Sequence, residues 1–122
     1  MIRVVRLGSP RAKAEGLRLG TVRRPPRGVK KSDYARRDYY DVWVPDLAPS
    51  AALVKQATQD WRRFIRSYRK EMHAPAAQRL LSLLAALSQH TNFSVGCYCA
   101  DEERCHRSVL RQLLVERNAR LA

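Results

Sequence analysis

Apolar and polar positions alternate in Ile2-Arg3-Val4-Val5-Arg6-Leu7, and this period predicts a first strand ending at the turn signal Gly8-Ser9-Pro10. Leu17-Arg18-Leu19-Gly20-Thr21-Val22 reads as a second extended piece. Pro25-Pro26 makes the next segment irregular, because two prolines remove two donors and restrict their neighbours. A short helical turn is expected from Ser32 to Arg37 with Ser32 as its cap, and Tyr40-Asp41-Val42-Trp43-Val44-Pro45 alternates again as a strand. The period then becomes helical. Ser50 is placed to cap Ala51 to Thr58, and Asp60 or Gln59 opens a helix whose Trp61, Phe64, Ile65, Tyr68 and Met72 share one face. Pro75 suits the first turn of another helix, with Leu80, Leu81, Leu84 and Leu87 on its apolar side. Phe93 to Cys99 is a nearly continuous apolar run, the pattern of a strand buried on both faces. An acidic loop follows, and then Val109 to Leu114 with apolar residues at helical spacing.

Elements in this order predict one α/β domain over residues 1–122, a small, mainly parallel sheet flanked by helices in a Rossmann-like sandwich. The last strand, bounded by helices in sequence, is expected at the centre of the sheet. No internal repeat interrupts the pattern.

Composition adds a hydrophobic content of 45%, enough for one core without staples. No apolar run reaches the length of a membrane span, and the apolar part of Met1 to Arg6 is too short for a signal peptide, so a cytoplasmic protein with no membrane partner is expected. Three cysteines, two of them in a Cys-x-Cys pair along a strand, argue for reduced thiols rather than a disulfide framework. The net charge is +13, and residues 1–40 hold twelve basic against three acidic residues. Such a field attracts a phosphate-bearing ligand, nucleic acid or an acidic protein, although a solvated basic surface accounts for much of it equally well. The arginines and Lys70 opposite the apolar stripe of the second helix read most simply as a wet face. Met72 and His73 read as packing and surface residues, and no cofactor is expected.

Reactive groups concentrate in Cys97-Tyr98-Cys99-Ala100-Asp101-Glu102-Glu103-Arg104-Cys105-His106-Arg107-Ser108, at a strand-to-helix junction where α/β sheets bind ligands. With Asp101 as helix cap, Cys105, His106, Arg107 and Ser108 lie near the orphan N–H groups and the positive end of the dipole, an anion-binding arrangement. Arg23, Arg24, Arg27 and Lys30 of the basic loop are the residues expected to close over the same anion, with Arg107 offering a bidentate fork. The acids 101–103 support a competing, structural reading in which they neutralise the dipole and pair with those arginines.

A sharper reading makes Cys99 a nucleophile with His106 and Arg107 as its catalytic partners, because a dipole and nearby cations favour a thiolate. The phosphatase loop has fewer residues between its Cys and Arg than the seven separating Cys99 from Arg107, and small residues where this chain has acids. Cys105 is also placed to resolve an oxidised Cys99. Zinc is a third reading, with Cys97, Cys99, Cys105 and His106 as ligands. Neighbouring Cys105 and His106 point apart by about 100° on a helix, so the spacing argues for no metal. The background alternative is a basic interaction protein with no catalysis.

The segment Tyr98 to Arg107 resembles the strand-end signature of the bacterial family called domain of unknown function 488, Cys-Ala-Glu followed by Cys-His-Arg. Arg27-Gly28-Val29-Lys30-Lys31, Asp46-Leu47-Ala48-Pro49-Ser50, and Trp61, Phe64 and Tyr68 with Glu71 resemble its YeaO-like branch, which usually carries a tryptophan where Pro25 stands. The resemblance implies an α/β fold and a cytoplasmic bacterial protein, and brings no reaction with it.

Overall fold

The computed structural model of the chain describes all residues, 1–122. Four strands, β1 (Ile2–Arg6), β2 (Leu17–Gly20), β3 (Val42–Trp43) and β4 (Phe93–Cys97), form an all-parallel sheet in the order β1-β4-β2-β3. The last strand is central, as its apolar run implied: Val95 pairs with Val4 on one side and Leu19 on the other. The helices are α1 (Ala51–Gln56), α2 (Trp61–Glu71), α3 (Pro75–Leu87) and α4 (His106–Val115). Their starts follow local chemistry. Ser50 Oγ accepts from the Leu53 N–H, the Asp60 carboxylate accepts from the Arg63 N–H, and Pro75 occupies the first turn of α3.

Several elements are shorter than the pattern suggested, with β2 ending at Gly20 instead of Val22 and α1 at Gln56 instead of Thr58. The strand expected from Tyr40 to Pro45 pairs over Val42–Trp43, because Tyr40 turns its ring onto the sheet and Pro45 starts a 3-10 turn. Near Ser32 the chain makes a 3-10 turn, Lys31–Asp33, with Lys30 at its cap position and no side-chain cap, so Ser32 lies inside the turn.

All four helices supply the core over one sheet face, where Ile2, Phe93 and Val95 meet Leu53, Phe64, Tyr68, Leu81, Leu84, Leu110 and Leu114. Each fully buried side chain of this size stabilises the fold by about 1.5–3 kcal/mol. The aromatic stripe of α2 is a ladder, Trp61 on Phe64 at 5.1 Å and Phe64 on Tyr68 at 5.8 Å, and Tyr68 Oη donates to the Leu47 carbonyl at 2.6 Å.

Irregular segments, rather than helices, cover the other face, and they approach closely because that face is small-residue backbone. A Cβ on Gly20 would stand 2.4 Å from the Tyr40 ring, and one on its register partner Gly96 would stand 2.6 Å from the Val5 carbonyl. Beside these glycines Arg18, fully buried, forks onto Glu15 with bonds of 2.8 and 3.0 Å and donates to the Ser9 and Asp38 carbonyls. Ser94 of β4 and the Ala12 N–H complete the Glu15 carboxylate.

Candidate functional site

At the carboxyl end of β4 the chain leaves the sheet through Tyr98 and Cys99, makes a 3-10 turn at Glu102–Arg104, and enters α4 with Cys105 at the cap position. Asp101 therefore caps the short turn, accepting from the Glu103 N–H at 3.0 Å, and not α4 as the sequence suggested. Glu102 pairs with Arg111 of α4 at 2.8 Å, so this acid is matched by its own helix and not by the arginines of the basic loop.

The consequence for the cysteines is convergence. The sulfurs of Cys97, Cys99 and Cys105 all lie within 4.8 Å of one another, with Cys97 and Cys105 buried and Cys99 exposed. Three thiols this close resist carrying more than one negative charge. Cys99 is the first to ionise: contact with the Cys105 and then the Cys97 thiol holds it well below the usual thiol range, and the Arg107 guanidinium adds to the effect. The Cys97 thiol is pushed up by Cys105, by Cys99 and by burial. Cys105 gains from its contact with Cys97 yet ends above the ordinary value through Cys99 and burial.

His106 is buried, which lowers its pKa to about 4 and leaves the ring neutral at pH 7. Its Nε2 is 2.6 Å from the Thr21 carbonyl, and a carbonyl only accepts, so Nε2 carries the proton. Nδ1 is then an acceptor, and the Cys105 thiol donates to it over a long 3.8 Å. His106 thus faces Cys105 rather than Cys99. Arg107 is only 3% exposed; its Nη2 donates to the Cys99 carbonyl at 2.7 Å, and its Nε is a buried donor with no partner. Its side chain braces Cys99 from behind.

A pocket of about 350 Å³ opens over this junction, lined by Val22, Arg23, Arg24, Pro49, Ala51, Val54, Lys55, Cys97, Tyr98, Cys99 and His106. Arg23 donates to the carbonyls of Pro45, Ala48 and Pro49 and so fixes the wall leading into α1. Arg24 and Lys55 have no ion-pair partner. Arg27 lines an adjoining cleft of about 360 Å³ with Arg24, Pro25, Pro26, Tyr39 and Tyr98. Lys30 lines neither, and Ser108 Oγ is occupied by the Cys105 carbonyl at 2.9 Å. A larger hollow, about 540 Å³, lies at the other end of β4 around Thr91 and Asn92 and holds no cysteine.

The sequence reading missed Lys55, Val54, Tyr98 and Thr21. Lys55 and Val54 belong to the short helix capped by Ser50, directly after the Asp46–Ser50 segment that carried part of the family resemblance, and that adjacency was the one signal available. Tyr98 is held by its hydroxyl, which donates to the Arg24 carbonyl at 2.8 Å and ties β4 to the basic loop.

No curated protein and no solved structure matches the chain. A family model described as the active DUF488-N3 subclade matches residues 2–118, with the strand-to-helix junction and both walls of the pocket inside the matched span, and the chain belongs to this family.

Proposed function

We propose that the pocket binds a small anionic ligand, of the phosphate-bearing class, and that the Cys99 thiolate displaces a leaving group from its electrophilic centre, the leaving group taking a proton from solvent and water then hydrolysing the sulfur–substrate bond, which makes the protein a cysteine-dependent enzyme. One observation carries this reading. The only exposed thiol of the cluster sits in a largely apolar pocket with three cations that no carboxylate of the chain neutralises, Arg23, which is spent on backbone carbonyls, and Arg24 and Lys55. Largely apolar walls with a few convergent polar groups are the usual form of a small-molecule site. Arg24 and Lys55 hold the anion and Cys99 supplies the nucleophile. Arg107 and His106 are positioning residues, the first through the Cys99 carbonyl and the second through Cys105. The word active in the family description agrees with a reactive centre.

The test compares alkylation by the anionic reagent iodoacetate with that by neutral iodoacetamide, mapped by peptide. Cys99 is expected to dominate, with a preference for the anionic reagent that falls with salt. Arg24→Ala and Lys55→Ala should each cut that preference by roughly threefold. Equal labelling of all three cysteines, or a preference indifferent to both substitutions, would overturn the proposal.

The adjoining cleft at Arg27, Tyr39 and Tyr98 favours a second reading, anion or nucleotide binding without turnover. It requires phosphate or nucleotide affinity that survives Cys99→Ser with no product formed by the parent chain. Loss of that affinity in Cys99→Ser would exclude it.

A further inference from the structure

A nucleophile requires one thiol and a resolving disulfide requires two, yet three thiols from separate backbone positions converge here within 4.8 Å. Two come from β4 and its exit, Cys97 and Cys99, and the third is the cap residue of α4. We infer that Cys97, Cys99 and Cys105 form a binding site for a soft divalent metal ion of the zinc class. This inference does not depend on Cys99 acting as a nucleophile.

The donor set suits the ion. Thiolates at about 2.3 Å around a tetrahedral centre stand about 3.8 Å apart, and the three sulfurs, within 4.8 Å of one another, would have to close by no more than about an ångström. His106 lies outside the three-sulfur group and borders it at Cys105. His106 Nδ1 stands 3.8 Å from Cys105 Sγ, against about 3.6 Å for a sulfur and an imidazole nitrogen sharing one zinc. The bond from its Nε2–H to the Thr21 carbonyl fixes the tautomer in which Nδ1 is a lone-pair acceptor facing Cys105, the outer contact typical of metal-ligating histidines.

Charge agrees as well. Three thiolates and one divalent ion leave a single negative charge, and the buried Arg107 guanidinium, bonded to the Cys99 carbonyl, supplies the compensating positive one. No redox step is involved, since the ion displaces to solvent whatever protons the thiols carry and forms three metal–sulfur bonds. Cys105 stands at the cap of α4, in extended backbone, so the divergence of neighbouring side chains along a helix does not apply to it. Occupancy would cover Cys99, so metal and electrophile compete for one sulfur.

Titrating the reduced, metal-free protein with Co2+ and displacing it with Zn2+ tests the site. The expected result is one ion per chain, with the intense thiolate-to-cobalt charge-transfer bands and tetrahedral ligand-field bands of a sulfur-rich centre. Cys97→Ser should weaken Zn2+ binding about 100-fold or more. Because that variant removes a buried side chain, the parent protein supplies a second readout: one equivalent of Zn2+ should protect Cys99 from iodoacetamide. Absence of the cobalt–thiolate bands, or Zn2+ that leaves Cys99 alkylation unchanged, overturns the inference. In those outcomes selective labelling of Cys99 in the metal-free chain would still stand, so the metal site and the reactive cysteine fail separately.

Discussion

β4 carries two polar clusters three residues apart, one at Ser94 and one at Cys97, and they are built on opposite terms. Around Ser94, Arg18 and Glu15 are both buried, bonded to each other bidentately and completed by two carbonyls, a hydroxyl and a backbone N–H. The charges cancel, and neither side chain contains a buried unpaired atom. Around Cys97 the groups are soft or incompletely matched: three thiols, a neutral imidazole whose Nδ1 has only a long contact with the Cys105 thiol, and an arginine whose Nε has no partner, all beside an open pocket. A saturated network specifies one arrangement of the chain and has nothing left with which to bind a ligand. The unsaturated one leaves donors and lone pairs for a molecule that is not part of the chain.

The largest expected effect breaks the first cluster. Glu15→Gln leaves Arg18 buried without its counter-charge and should cost about 3–5 kcal/mol, read as a lower midpoint in urea, while labelling of Cys99 in the folded protein is unchanged. A midpoint equal to that of the parent would show that the network is not structural. Acid should dissolve the same cluster next. Burial alone would raise the Glu15 pKa, but the hydrogen bonds from Arg18, Ser94 and the Ala12 N–H win and lower it from 4.5 to about 2. A depressed carboxylate contributes stability that is complete above its unfolded pKa and is lost as pH falls through the folded one. About 3 kcal/mol should therefore disappear between about pH 4.5 and pH 2. Thermal unfolding followed across that range, with Glu15→Gln lacking this part of the loss, checks the assignment. The smallest effect on stability belongs to the second cluster. Cys99→Ser, at an exposed position, should shift unfolding by less than about 1 kcal/mol while abolishing the selective alkylation. A large destabilisation would place Cys99 with the structural residues and erase the contrast.

Local chemistry made much of the fold legible. Ser50, Asp60 and Pro75 mark helix starts that hold in three dimensions because a cap depends only on residues within one turn. The place of β4 at the sheet centre followed from its apolar run, which left no wet face. The strand near Tyr40 was overestimated because its alternation is the same whether Tyr40 lies in a ladder or folds over Gly20.

What the sequence by itself determined is the class of fold and the place of the cysteine-bearing strand-to-helix junction from Cys97 to Arg107, since both follow from the order and period of neighbouring residues. The tertiary structure alone decided what each reactive side chain meets. It sends Arg107 inward to the Cys99 carbonyl, holds Arg23 on the wall before α1, leaves Arg24 beside Lys55 in the pocket, and closes Arg18 onto Glu15 under the loops. The partners of Arg23, Arg24 and Tyr98 lie more than twenty positions away in sequence, and no local period encodes such distances. Packing sets the direction of each side chain, and direction separates a charge spent within the fold from one left facing the pocket.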